Sequence, residues 1–271
     1  MNVVVKLMGG LGNQMFQYSF GLQLSEVTGR NLILDTSFLE RKDLGEGFVY
    51  RDYDLDVFDI SCRVSSGFSE DLEVITQSWD WLHKIEPGVI ERCIESRSKN
   101  LCIEGYWQSP KYFDCRQDIF KFSNPLDDKS LNLAEEIESS NSVMINIRRT
   151  DFINNNFSGY FGREYVEKAM EKLDASEKYN FYIFSDDPDW CEENLSDLGK
   201  VVDHSHKGFK FSNYLQLMMR CKYFIIPNSS FAWWSAYLSK NKKRVMYPER
   251  WIKSYPNPIE DLFPSDWVSV K

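Results

Sequence analysis

The 271-residue chain lacks any long hydrophobic run. A membrane-crossing helix needs roughly 18 or more consecutive apolar residues, and none is present. Met1-Asn2-Val3 does not open a basic segment followed by an apolar one, so no secretory leader is expected. Basic residues are in deficit: 32 Lys and Arg oppose 41 Asp and Glu, a net charge of −9. Without a polybasic run the chain is a poor partner for nucleic acid, and an anionic ligand would need a local cationic site set against the overall field. The three histidines, His83, His204 and His206, are too few for a zinc site on their own. The six cysteines (Cys62, Cys93, Cys102, Cys115, Cys191 and Cys221) include no C-x-x-C pair and read as free thiols of a reducing compartment. In that compartment the sequons at Asn156 and Asn228 carry no meaning. The expected location is cytoplasmic.

What is present is 42% hydrophobic and 15% aromatic, enough to bury one large core or two smaller ones. Val3 to Leu7 reads as a buried strand. Asn13 can cap a helix running to about Thr28, with Phe16, Phe20, Leu24 and Val27 on one stripe and Gly29 as its stop. Asn31–Asp35 reads as a second strand. A loop-rich stretch to about Phe68 and a helical region follow, then a third strand, Leu101 to Ser109, ending at the surface. The polar, Pro-containing segment Ser123 to Lys129 marks a domain boundary, giving domains 1–128 and 129–271. Beyond it, strands (142–149, 180–187, 200–203, 222–227, 244–248) alternate with helices (131–138, 163–173, 189–195, 213–221, 230–239). That alternation predicts a parallel sheet covered on both faces.

Three stretches carry candidate chemistry. In "GGLGNQ", Gly10 and Gly12 fit a dinucleotide fingerprint but the third position is Met15, so nicotinamide binding is not indicated. The glycines still let backbone approach a ligand, and Asn13 and Gln14 offer amides; the competing reading is a plain tight turn. In "NIRRTDF", Arg148 and Arg149 end a buried strand, where open α/β sheets bind ligands, and guanidinium suits phosphate. Asp151 either orients an arginine or acts as a base. In "PNSSFAWW", Ser229, Ser230 and Phe231 open a helix whose free N–H groups form an anion site, though serine is also an ordinary cap. Trp233 and Trp234 read as core. Acidic clusters are discounted: for Asp52, Asp54 and Asp56 the glycine of a calcium loop would be Val57 and its closing glutamate Arg63. Asp187-Pro-Asp189 reads as a strand end and helix cap. No metal site follows, and a phosphate-bearing donor held between two domains is expected.

The blocks "GGLGNQMFQYSFG", "GYWQSPKYF", "IRRTDF", "FYIFSDDPDWC" and "NSSFAWWSAYLS" resemble, in order, those of family 11 glycosyltransferases, the bacterial and animal α-1,2-fucosyltransferases. The resemblance spans Lys6 to about Trp267. It implies a GT-B-like α/β architecture, two Rossmann-like domains facing a cleft. Residues 1–128 would be the acceptor side and 129–271 the nucleotide-sugar donor side. The implied reaction is inverting transfer of L-fucose from GDP-fucose to a galactoside hydroxyl, without a metal or other cofactor. The implied setting is surface-polysaccharide synthesis, with a lipid-linked acceptor at the inner membrane. Asn13 resembles the asparagine approaching the fucose diphosphate, Arg149 the arginine gripping the β-phosphate, and Ser229 to Phe231 the segment wrapping the diphosphate. Two positions depart: Asn146, which with Asn213 can still bond a base and so stays a candidate donor contact, replaces the family's histidine, and Tyr214 stands where an aspartate usually helps read guanine. Those departures motivate a second reading, the same chemistry with another nucleotide-sugar donor. A third, a non-catalytic carbohydrate-binding protein using Trp107, Trp233 and Trp234, gives the arginine pair no purpose.

Overall fold

The computed structural model describes residues 1–43, 45, 49–113, 117–153, 159, 161–252 and 259–271. Cys115 and the Asn156 sequon lie outside the described residues. The chain forms two compact units. The first comprises Met1–Ser123 with Asn257–Pro264, the second Asn124–Pro256 with Ser265–Lys271.

The first unit is built on β1 (Asn2–Lys6), α1 (Leu11–Thr28), β2 (Asn31–Asp35), β3 (Arg63–Ser65), β4 (Glu73–Thr76), α2 (Val89–Glu95) and β5 (Asn100–Glu104). Its sheet runs β3-β2-β1-β5-β4, with every pairing parallel. β1 lies at the centre because Val3, Val4 and Val5 are stiff, β-branched and fully buried. α1 packs so tightly on the sheet that a Cβ at Gly21 would sit 2.4 Å from Val5 and 3.0 Å from Leu32. The helix starts at Leu11 with Gly10 as its N-cap, three residues earlier than expected, so Asn13 is in the first turn and its side chain is released from capping. Gly29 ends it in the left-handed conformation, as read.

The second unit comprises α3 (Asp128–Ser139), β6 (Ser142–Ile147), α4 (Arg163–Met170), β7 (Asn180–Ser185), α5 (Pro188–Leu195), β8 (Lys200–Val202), α6 (Ser212–Met218), β9 (Tyr223–Ile225), α7 (Ser230–Leu238), β10 (Arg244–Pro248) and β11 (Val268–Val270). The sheet order β11-β10-β9-β6-β7-β8 is wholly parallel. Read from β8, this is the 3-2-1-4-5-6 order of doubly wound nucleotide-binding sheets. The expected alternation is therefore present, with β11 added at the edge.

The chain divides five residues before the expected boundary at 128, and residues 257–264 return to the first unit rather than staying with the second. Asp261 anchors that return. Its carboxylate accepts from the Ile85 N–H at 3.0 Å and pairs with Lys111, and its carbonyl accepts from the Ser109 hydroxyl at 2.8 Å. The predicted strand 101–109 also stops early, at Glu104, because the backbone turns sharply there, with Gly105 and Trp107 at positive φ. It ends in the core: Trp107 is fully buried.

Candidate active site

In a doubly wound sheet the order reverses at a switch point, and the loops leaving the carboxyl ends of the two strands there diverge to open a crevice. In the second unit those strands are β6 and β9, paired through Ile145 and Ile225. β6 delivers Arg148 and Arg149; β9 delivers Asn228, Ser229 and Ser230. The two arginines have different surroundings. Arg148 is tied to Asp151 at 2.8 Å and to Asp186 at 2.9 Å. Asp151 is thereby engaged as a counter-ion, the first of its two expected alternatives. Among the described residues the Arg149 side chain pairs with Asp187 alone, at 3.4 Å, and it lies over the Trp190 ring, 4.3 Å from its centroid. Its Nε is buried and without a hydrogen-bond partner. A guanidinium held over an indole with a donor unspent is prepared for an oxyanion.

Asp186 fixes the loop that carries this group. It accepts from the backbone N–H of Arg149 at 2.8 Å and from the Thr150 hydroxyl at 2.5 Å. Asp187 accepts from the Trp190 N–H at 3.3 Å, capping α5 as the sequence suggested. Beside this loop Ser229 caps α7: its hydroxyl accepts from the Ala232 N–H at 3.3 Å. The N–H groups of Ser230 and Phe231 stay open at the helix start among the described residues.

Asn146 and Tyr214, the two departures, are placed very differently from a base-reading pair. Asn146 is nearly buried on β6 and donates to the Phe184 carbonyl at 3.1 Å, across to β7. Tyr214 is 2% exposed; its hydroxyl donates to the Val202 carbonyl at 2.5 Å, and its ring packs among Phe184, His204 and Phe211. Burial pushes its phenol well above the ordinary range. Asn213 donates to Asp127 at 2.8 Å. Tyr214 is a core residue whose hydroxyl is already taken up by a backbone carbonyl.

The first unit has its own switch point, between β1 and β5. Gly9 turns the chain at φ 75°, and a Cβ there would sit 2.4 Å from the Asn13 amide nitrogen. Gln14, expected to meet the ligand, is fully buried. It donates to the carbonyls of Gly9 (2.8 Å) and Asp52 (2.7 Å) and accepts from the Asp54 N–H (2.9 Å). It pins the turn to the 52–54 loop, so both of its N–H donors are spent on the fold. Gln17, which sequence reading passed over, acts similarly: it accepts from the Met8 N–H at 3.1 Å and donates to the Gly105 carbonyl at 3.0 Å. Asn13 is half-buried and accepts from Gln108 at 2.8 Å. Gly10 and Gly12 stand in the turn and first helical residues and carry no side-chain chemistry.

No three His, Cys, Asp or Glu side chains converge into a metal-binding group among the described residues. Trp107, Trp233 and Trp234 are fully buried, which denies the carbohydrate-binding reading its aromatic platforms. Burial also pushes the thiols of Cys93, Cys102 and Cys191 up to about 11, far from nucleophilic thiolates.

The family model described as Glycosyl transferase family 11 matches residues 80–271. The chain belongs to glycosyltransferase family 11. This family 11 enzyme is 27% identical to an Escherichia coli alpha-1,2-colitosyltransferase, over 99% of each chain. It is 26% identical to a Caenorhabditis elegans galactoside 2-alpha-L-fucosyltransferase, over 64% of this chain and 54% of that one. Among solved structures it is similar to a fucosyltransferase, NodZ from Bradyrhizobium, with a TM-score of 0.51 at 14% identity, covering 86% of this chain and 90% of that one. The family 11 enzyme thus has a GT-B-like fold of two Rossmann-like units, each with a parallel sheet. No helix among its described residues is long and apolar enough to cross a membrane.

Proposed function

We propose that the protein is an inverting glycosyltransferase moving L-fucose from GDP-fucose to a galactoside hydroxyl in α-1,2 linkage, in surface polysaccharide or glycan synthesis. The observation that carries this reading is Arg149, a guanidinium with its Nε buried and unmet, at the carboxyl end of a switch-point strand beside an open helix N-terminus. In an acidic protein such a group has one evident use, the diphosphate of a nucleotide sugar. In the reaction the acceptor oxygen bonds to the anomeric carbon from the face opposite the donor phosphate. The bond from that carbon to the phosphate oxygen breaks, and GDP leaves with the electron pair. Arg149, the N–H groups of Ser230 and Phe231 and the Ser230 hydroxyl take up the charge that develops on the leaving diphosphate. These fixed donors do the work a metal does elsewhere, so no metal is expected.

Arg148 and Asp151 act behind Arg149. Their ion pair, with Asp186, holds the loop in the shape that presents the Arg149 guanidinium. Asn13 offers the donor an amide N–H, and the first unit serves the acceptor. The reading is tested by GDP release from GDP-fucose with a galactoside acceptor: wild type turns over and folded Arg149→Ala does not. A second reading keeps the chemistry and changes the nucleotide-sugar donor. It is favoured by the whole-length match to a protein named an alpha-1,2-colitosyltransferase and by Tyr214, which leaves the base to be read by other groups.

A further inference from the structure

The backbone after β5 takes a strained conformation. Trp107 is fully buried, yet its φ is 53°, in the left-handed region that bulky residues avoid. Gln77 holds it there: its Oε1 accepts from the backbone N–H groups of Tyr106 at 3.0 Å and Trp107 at 2.9 Å. The bend delivers Gln108 to the end of β1. Gln108 is 8% exposed and its Nε2 donates to Asn13 Oδ1 at 2.8 Å. On its other side is His83, 2% exposed and hydrogen-bonded to Gln108. That bond raises the imidazole's proton affinity against the pull of burial, as it must where the ring N–H donates to the Gln108 carbonyl oxygen.

The three residues form a chain with one direction. A histidine N–H that points at Gln108 fixes which end of that amide is oxygen, so Gln108 presents its NH2 group to Asn13. Asn13 must then turn its oxygen to Gln108 and its own NH2 group to the Gly9 turn, where no described residue takes it up. An asparagine amide has nearly the same shape when flipped, but flipping exchanges a donor for an acceptor. Facing phosphate, one orientation binds and the other repels.

We propose that the His83–Gln108–Asn13 chain is a polarity relay that holds the Asn13 amide with its N–H donors toward the anionic part of the nucleotide-sugar donor, making Gln108 a positioning residue for donor recognition. The proposal rests on the reading that Asn13 meets the donor. Gln108→Glu reverses the relay: a carboxylate accepts from both neighbours, so Asn13 must donate to it and turn its oxygen to the Gly9 turn. Gln108→Met merely unlocks it.

The test is GDP binding by calorimetry, with a melting curve for each variant. Asn13→Ala should weaken GDP about tenfold, the loss of one hydrogen bond to a charged group. Gln108→Glu should weaken it at least as much, and Gln108→Met about twofold to fivefold, since an unlocked amide still samples the productive orientation. The decisive comparison is the double-mutant cycle: in the Asn13→Ala background Gln108→Glu should cost less than about threefold more, because the group it acts through is gone. A general packing defect would give the same loss in both backgrounds, which would overturn the relay. GDP binding of Gln108→Glu equal to wild type, alongside a weakened Asn13→Ala, would overturn it too. Should Gln108→Glu not fold, Gln108→Met decides, and its binding as tightly as wild type refutes the proposal. If instead Asn13→Ala binds GDP as tightly as wild type, the underlying donor role of Asn13 fails.

Discussion

Replacing Arg149 by alanine should separate function from stability. In the free protein this guanidinium contributes little to the fold. Its stack on Trp190 at 4.3 Å is worth about 1 kcal/mol, and its 3.4 Å approach to half-exposed Asp187 at most about that much. Against these stands its buried, unmet Nε, a penalty of roughly 1–3 kcal/mol. The terms cancel, so Arg149→Ala should change stability by no more than about 1 kcal/mol and the melting temperature by only about 2–4 °C. Catalysis should respond quite differently. Loss of a charged donor to the leaving diphosphate should cost on the order of 3 kcal/mol, about a hundredfold in kcat. Arg148→Ala is the counterpart. It leaves Asp151 and Asp186, with side chains only 18% and 11% exposed, without their shared cation. It should lose about 2 kcal/mol of stability as well as activity. The assay is continuous detection of GDP release from GDP-fucose beside thermal melts of the three proteins. Turnover of folded Arg149→Ala close to wild type would remove Arg149 from the site. A larger stability loss for Arg149→Ala than for Arg148→Ala would reverse the assignment of the pair.

Tyr214→Asp, which would restore the residue usual in relatives, should not improve GDP binding. It empties an aromatic pocket and strands the Val202 carbonyl, so roughly 3–5 kcal/mol of destabilisation is expected in chemical denaturation. His83 should make the protein acid-sensitive. Burial lowers its imidazole to about 4 from an ordinary 6.5, so the unfolded chain binds a proton first, and stability falls as pH drops from 6.5 towards 4. The contribution is on the order of 3 kcal/mol, and His83→Gln should show a shallower decline between pH 7 and 4.5 than wild type. Activity should survive EDTA, since arginine, hydroxyl and helix N–H groups meet the phosphate charge; loss on chelation with recovery in manganese would contradict this.

The elements most legible in the sequence are those whose burial is written in apolar runs. Val3-Val4-Val5 and the strand ending in Arg148-Arg149 are of this kind, because a parallel strand covered on both faces has no polar alternation to blur it. The elements that escaped are short edges. Arg63–Ser65 and Glu73–Thr76 are mostly exposed and carry no apolar pattern; they become strands only by pairing with β2 and β5. The arginine pair is legible because charge at the end of an apolar strand is conspicuous. Its platform and its anchor are not: Trp190 and Asp186 lie 41 and 37 residues from Arg149, and nothing local marks them as partners. Gln14 failed in the other direction. A polar residue in a glycine turn suggests a ligand, yet its amide is consumed by three backbone bonds that only the folded loop reveals. Tyr214 shows how a motif position misleads when read without packing, since a buried phenol satisfied by a carbonyl has no spare group for a base.

If the site breaks the sugar–phosphate bond of GDP-fucose, the sugar passes to a galactoside. Wild-type enzyme incubated with GDP-fucose and a β-galactoside acceptor, with the product examined by NMR, tests it most directly. Stoichiometric GDP and a fucosyl residue of α configuration on the galactose O2 are expected. Retention of the β configuration, or no transfer from GDP-fucose while a UDP-sugar is turned over, would contradict it.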